Sequence, residues 1–136
     1  MLNHDTSYEQ FLASKRVAVQ DSGIDVGIDA LHPMLFDWQK LIVQWALKKG
    51  RCALFEDCGL GKSFQQIVWA NIVHAHTNRD ILILAPLAVN AQTIAEGAKL
   101  GIEIHGCRRQ SDVKPGINIA NYEMLEHFDS NHFIGV

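Results

Sequence analysis

With 136 residues, of which 48% are hydrophobic and 20% charged, the chain is long enough for one globular domain with its own core. Its net charge of −3 excludes binding to polyanions through bulk charge, so any contact with nucleic acid has to come from local groups. No apolar run approaches the roughly 20 residues of a membrane span, and the N-terminus lacks a secretory-signal pattern, so we expect a cytoplasmic protein that does not bind membranes.

The first 31 residues are the least patterned part of the chain. A weak helical pattern runs over residues 8–19, and residues 23–30 have the composition of a loop. Residues 1–31 are therefore predicted to be an N-terminal extension, either an arm that covers the core or a loosely held segment. The folded unit is predicted to span residues 32–136.

A long amphipathic helix is predicted over residues 35–49, with Pro33 suited to its first turn. Two lysines and a glycine at residues 48–50 are typical of a helix end. The apolar stripe of this helix, which we expect to face the core, consists of Leu35, Trp38, Leu41, Ile42, Trp45 and Ala46.

The most informative stretch is Glu56–Ser63, which contains two glycines followed by Lys62 and Ser63. It lies between an apolar run at 51–55, predicted to be the first strand, and a helix predicted over 61–74. This arrangement binds phosphate groups, because the glycines let backbone amides point inward and the helix N-terminus attracts anions. Lys62 can then reach the outer phosphates, and the Ser63 hydroxyl can coordinate Mg²⁺. A surface turn before an ordinary helix is the alternative.

The unbroken apolar run at 81–84 is typical of a strand covered on both faces of a parallel sheet, and residues 117–120 are predicted to form another strand. Alternation of strands with helices predicts a parallel sheet with helices on both faces, and places the glycine-rich loop at its carboxyl edge. The other predicted elements are a helix that follows Pro86 and closes at Gly101, a strand at 102–105, a helix at 122–128 capped by Asn121, and the beginning of a strand at 133–136.

Taken in this order, residues 32–136 resemble the first RecA-like lobe of superfamily-two helicases. The likeness is to the DEAD/DEAH-type and Swi/Snf-like ATPases, including those encoded by phages. Glu56–Ser63 is similar to the family's motif I, whose usual form also lacks a glycine at the position of Glu56. The other similar segments are Leu35–Gln39 (the element before the loop), Ala85–Val89 with Gln92 (motif Ia) and Asn121–Glu123 (the next nucleic-acid element).

The resemblance implies a three-layer, RecA-like P-loop NTPase fold that is incomplete at its C-terminal end. It implies ATP and Mg²⁺ as ligands, with the Gln39 side chain selecting adenine, Phe36 near the base and Ser63 holding the metal. The implied ATP-binding residues are Gln39, Gly59, Leu60, Gly61, Lys62, Ser63 and Phe64. The implied contacts to nucleic acid, DNA rather than RNA, come from Pro86, Leu87, Gln92 and Asn121.

The family's acidic pair, which holds Mg²⁺ and positions the attacking water, is not found in the sequence up to Val136. We therefore assign no catalytic residue and expect the chain to bind nucleotide weakly, with little or no hydrolysis. It would be the ATP-binding portion of a DNA helicase or translocase. A short non-catalytic protein that uses the lobe for binding or dimerisation, with self-association through an exposed sheet edge, is the alternative. A P-loop kinase is a weaker third interpretation.

Overall fold

A computed structural model describes the backbone of residues 5–15 and 20–136, and the side chains of 8–14 and 20–136. The described part is an α/β fold in which a small parallel sheet is flanked by helices. Its elements are the helices α1 (Asp5–Lys15), α2 (Asp37–Lys49), α3 (Lys62–Thr77) and α4 (Leu87–Lys99), the strands β1 (Ile81–Ala85), β2 (Ile104–Gly106) and β3 (Ile117–Asn121), and short 3-10 helices at Ile28–Ala30, Gln110–Asp112 and Tyr122–His127.

The sheet has three parallel strands in the order β1-β3-β2. In the pairing of β1 with β3, Ile81 lies opposite Ile117 and Ala85 lies opposite Asn121. The strands predicted at 81–84 and 117–120 are confirmed as β1 and β3. Their residues are mostly buried, as expected for strands covered on both faces of the sheet. The third strand is confirmed with a shift, since β2 covers residues 104–106 instead of 102–105.

Side chains of β1 alternate between two apolar clusters, one on each face of the sheet. Ile81 and Ile83 join the larger cluster, to which α3 and α4 contribute their apolar faces. Leu82 joins the smaller cluster with Cys107, Ala120 and Phe133, which the 3-10 helix at 122–127 helps to cover. The helix predicted over 61–74 is confirmed as α3, whose buried residues include Ile67, Val68, Ile72 and Val73.

The predicted first strand, Arg51–Phe55, is wrong: this segment has no regular secondary structure. A strand requires a neighbouring strand, and the described part of the chain has none beside residues 51–55. The strand expected to begin at 133–136 is present only as a single bridge between Gly135 and Ile81.

The apolar stripe predicted to face the core is only partly correct, since Leu35 and Ala46 are buried as expected but Leu41 and both tryptophans are exposed. The helix begins at Asp37, so Pro33 lies before it. Trp38 and Trp45 were expected in the core but are 40% and 46% exposed. The buried residues of α2 are Gln39, Val43, Ala46 and Leu47.

The N-terminal region contains α1, whose described side chains are exposed. Residue 17, which completed the predicted helical pattern, lies outside the described residues. Further along, the chain docks onto the end of α2, where Gly23 N donates to Lys48 O at 3.1 Å and Ile24 N donates to Leu47 O at 2.8 Å. Among the described residues, no helix combines the length and apolar character needed to cross a bilayer.

Candidate nucleotide-binding loop

The glycine-rich stretch forms a tight corner that leads directly into α3. Gly59 and Gly61 have φ angles of +79° and +70°, a region that favours glycine, and α3 begins at Lys62. A Cβ atom built on Gly59 would meet nothing within 4 Å. The outer side of the corner is therefore open rather than filled by side chains.

Backbone amides at this corner lack protein partners. The Cys58 amide donates to Asp57 Oδ1 at 2.8 Å, and the Gln65 amide donates to Gly61 O at 3.3 Å. Between them, within the described part of the chain, no hydrogen bond involves the amides of residues 59–64, and no side chain caps α3. These six consecutive donors at a helix N-terminus are free to bind an anion.

Lys62 and Ser63 lie at the mouth of the loop. Lys62 Nζ donates to two loop carbonyls, Asp57 O at 2.8 Å and Glu56 O at 3.2 Å. Its side chain is exposed, whereas Ser63 is half-buried and its hydroxyl has no hydrogen-bond partner among the described residues. An ammonium group and a hydroxyl are thus available beside the free amides.

Gln39 contacts the loop from α2. Its Nε2 donates to Leu60 O at 2.9 Å, and its Oε1 accepts from Phe36 N at 2.9 Å. A Cβ atom on Gly61 would lie 2.6 Å from Gln39 Nε2, so this approach requires glycine. The side chain is only 4% exposed. Gln39, which the resemblance assigns to adenine, therefore holds the loop itself and keeps one amide hydrogen unused.

Gln65 is a site residue that the sequence reasoning missed. Its Nε2 donates to Glu56 Oε2 at 2.8 Å and to Leu60 O at 3.2 Å, although the residue is only 2% exposed. Amides of Gln39 and Gln65 thus converge on one carbonyl and fix the corner from two helices. A polar residue on the otherwise apolar inner face of the helix was the signal that could have revealed it.

A large cavity of about 1390 Å³ lies beside the sheet, next to the end of the loop. Lys62 and Ser63 line this cavity together with all of β1 and with Tyr122, which follows β3. Residues 134–136 and parts of 50–56 also line it, whereas residues 57–61 do not. The lysine and serine of the loop therefore border a space that is large enough for a ligand.

The four predicted nucleic-acid residues lie at or near the carboxyl edge of the sheet. Pro86 and the exposed Leu87 follow β1 directly, and Asn121 ends β3 opposite Ala85. Gln92 lies further along α4, where its Nε2 donates to Glu96 Oε1 at 2.9 Å. The structure thus brings Pro86, Leu87 and Asn121 to one edge. Capping by Asn121 was predicted wrongly, because its side chain makes no cap hydrogen bond to the 3-10 helix that follows.

Cys58, within the loop, and Cys52 are exposed free thiols, whereas Cys107 is buried. Burial raises the pKa of Cys107 to about 11, and desolvation also raises the pKa of Cys52. In the described part of the chain, no three His, Cys, Asp or Glu side chains form a group that could hold a metal ion.

No family model matches the chain, and no curated protein is similar enough to count as a relative. A function therefore has to be inferred from the loop, the cavity next to its end and the two glutamines that contact the loop.

Proposed function

We propose that this chain binds a nucleoside triphosphate, ATP with Mg²⁺, at Glu56–Ser63. The observation that carries the proposal is the row of six free amides at 59–64, beside the Lys62 ammonium group on an open corner. Such donors at a helix N-terminus match the charge and shape of a triphosphate. A surface turn of no function would not need two buried glutamine side chains to fix its backbone.

Each group at the loop has a distinct part in the proposed complex. The amides of Gly59 to Phe64 surround the phosphates, and Lys62 exchanges its two loop carbonyls for phosphate oxygens. The unpaired Ser63 hydroxyl coordinates Mg²⁺, which the phosphates also ligate. Gln39 holds Leu60 and offers its remaining amide hydrogen to the base. The RecA-like form of the fold and the link to helicases belong to the same proposal.

Binding, and not hydrolysis, is the activity that these residues support. Efficient phosphoryl transfer requires carboxylates that hold the metal and position water. Among the described residues, no three His, Cys, Asp or Glu side chains are grouped so as to hold a metal ion. We therefore propose nucleotide binding as part of a DNA helicase or translocase, with DNA meeting the edge formed by Pro86, Leu87 and Asn121.

Thermal unfolding gives a direct test of nucleotide binding. At about 100 times its dissociation constant, ATP–Mg²⁺ is expected to stabilise the fold by roughly 2.7 kcal/mol, measured as a rise in Tm. Lys62→Ala should abolish most of this rise, because the side chain supplies the positive charge at the loop. Lys99→Ala, which removes an exposed lysine at the end of α4, is the matched control and should preserve it.

Two results would contradict this proposal. One is a Tm that does not change at millimolar ATP–Mg²⁺, which would favour a non-catalytic binding module. The other is an equal rise in Tm for both lysine variants and the unmodified chain, since this would locate nucleotide binding away from the loop.

A further inference from the structure

A continuous apolar surface covers one side of α2 and the segment beside it. It consists of Trp38, Leu41, Trp45, Leu54 and Phe55, which we call the α2 apolar surface, and all five are exposed. Phe55 is 97% exposed, an unusual position for a large aromatic side chain. Large apolar side chains that are exposed next to one another often mark an interaction site.

A groove of about 340 Å³ lies within this surface. Ala53, Leu54, Phe55 and Glu56 line it from the irregular segment, and Leu41, Ile42 and Trp45 line it from α2. Ala53 and Phe55 therefore lie on the same side of this segment. The surface therefore presents a small residue in a groove next to a protruding aromatic side chain.

The segment that carries this pair also has unpaired backbone. Among the described residues, no backbone hydrogen bond involves the amides or carbonyls of 51–55. Unpaired extended backbone is a template for pairing with another strand. Its most direct partner is an identical segment, since a two-fold axis pairs one edge with itself in antiparallel orientation.

We propose that two copies of this chain associate through their Arg51–Phe55 segments, paired antiparallel about a two-fold axis at Leu54. In this register, Phe55 of each copy lies opposite Ala53 of the other and enters the apolar groove beside it. Arg51 lies opposite Asp57 of the other copy, which places opposite charges across from each other at both ends. The occupant of the groove is thus a second copy of the same chain.

An alternative register and an alternative partner fit these features less well. An axis at Ala53 would place Phe55 opposite Arg51, where no groove receives the aromatic ring. An extended segment of another protein could form hydrogen bonds with the backbone of 51–55. It would not explain why the same surface carries both a protruding Phe55 and a groove that can receive it.

Sedimentation velocity over micromolar to submillimolar protein tests the proposal. We expect a monomer–dimer equilibrium that Phe55→Lys weakens by roughly a hundredfold, since central aromatic residues dominate interfaces. Because Phe55 is almost fully exposed, its replacement leaves the packing of the monomer intact. Leu125→Lys, at an exposed leucine in the 3-10 helix at 122–127, is the matched control and should not weaken the dimer.

Cross-linking tests the register. In a chain that also carries Cys52→Ser and Cys58→Ser, Leu54→Cys should form an intermolecular disulfide under mild oxidation, because the two-fold axis brings the two thiols together. Adding Phe55→Lys to this variant should prevent the cross-link. A chain that stays monomeric throughout, a dimer that Phe55→Lys does not weaken, or a dimer without this cross-link would overturn the proposal.

Discussion

Gly23→Ala is expected to lower the free energy of unfolding by about 3 kcal/mol, near the upper end for a steric insertion into a packed site. A Cβ atom at this position would lie 1.8 Å from Leu47 O and 2.6 Å from Gly50 N. Both are backbone atoms, so no side-chain rotation relieves the contact. Moving the segment away would break the hydrogen bonds of Gly23 N to Lys48 O and of Ile24 N to Leu47 O, which satisfy carbonyls at the end of α2.

Equilibrium unfolding in urea measures this effect, and Gly27→Ala is its matched control. A Cβ atom on Gly27 would meet nothing within 4 Å, and its φ of −66° suits alanine. This second change should therefore leave stability unchanged or raise it by about 0.5 kcal/mol through the unfolded state. If the two alanine variants unfold at the same urea concentration, residues 22–24 do not dock on α2 as described.

Gly61→Ala is expected to weaken ATP–Mg²⁺ binding by roughly tenfold to a hundredfold, the effect of losing one or more hydrogen bonds to a charged group. The added Cβ atom would lie 2.6 Å from Gln39 Nε2. The Gln39 side chain can turn away, but it then loses its hydrogen bond to Leu60 O. The corner loses one of its two glutamine supports, so its backbone amides are held less firmly.

Gly101→Ala separates this steric effect from simple backbone strain. Gly101 has a similar φ of +67°, but a Cβ atom there would meet nothing within 4 Å. Each alanine variant should lose about 1 to 2 kcal/mol of stability from the left-handed backbone, whereas only Gly61→Ala should lose affinity, as measured by isothermal titration calorimetry. Equal affinities for the two variants would show that the contact between Gly61 and Gln39 has no role in binding.

The pattern of apolar residues in the sequence correctly predicted the strands and helices whose formation depends mainly on their own residues. The run at 81–84 is apolar at every position, which suits a strand covered on both faces, and 117–120 differs from it by one polar residue, the buried Asn118. Residues 52–55 are similarly apolar, yet whether they become a strand depends on a distant partner. Local composition shows that a segment is apolar, but it does not show which other segment will pair with it.

The buried face of α2 was partly mispredicted for a related reason. Helical periodicity identified the stripe with the tryptophans, but the helix buries a neighbouring stripe that includes Gln39. A glutamine is assigned to the core only when its hydrogen-bond partners are known, and those of Gln39 and Gln65 lie in the loop. The loop was therefore found from its own residues, whereas the supporting role of Gln39 and the presence of Gln65 at the site emerged only from the fold. The exposed members of that predicted stripe, Trp38, Leu41 and Trp45, belong to the surface proposed for self-association.

The central proposal is that free amides at a glycine corner bind a triphosphate, and backbone amide NMR during titration with ATP–Mg²⁺ tests it most directly. The largest chemical-shift changes are expected at residues 59–64, where the amides lack protein partners, with smaller changes at Gln39 and Gln65. Inorganic triphosphate with Mg²⁺ should shift the same amides. Unchanged amide signals at 59–64 with saturating nucleotide, or changes confined to another part of the chain, would contradict the proposal.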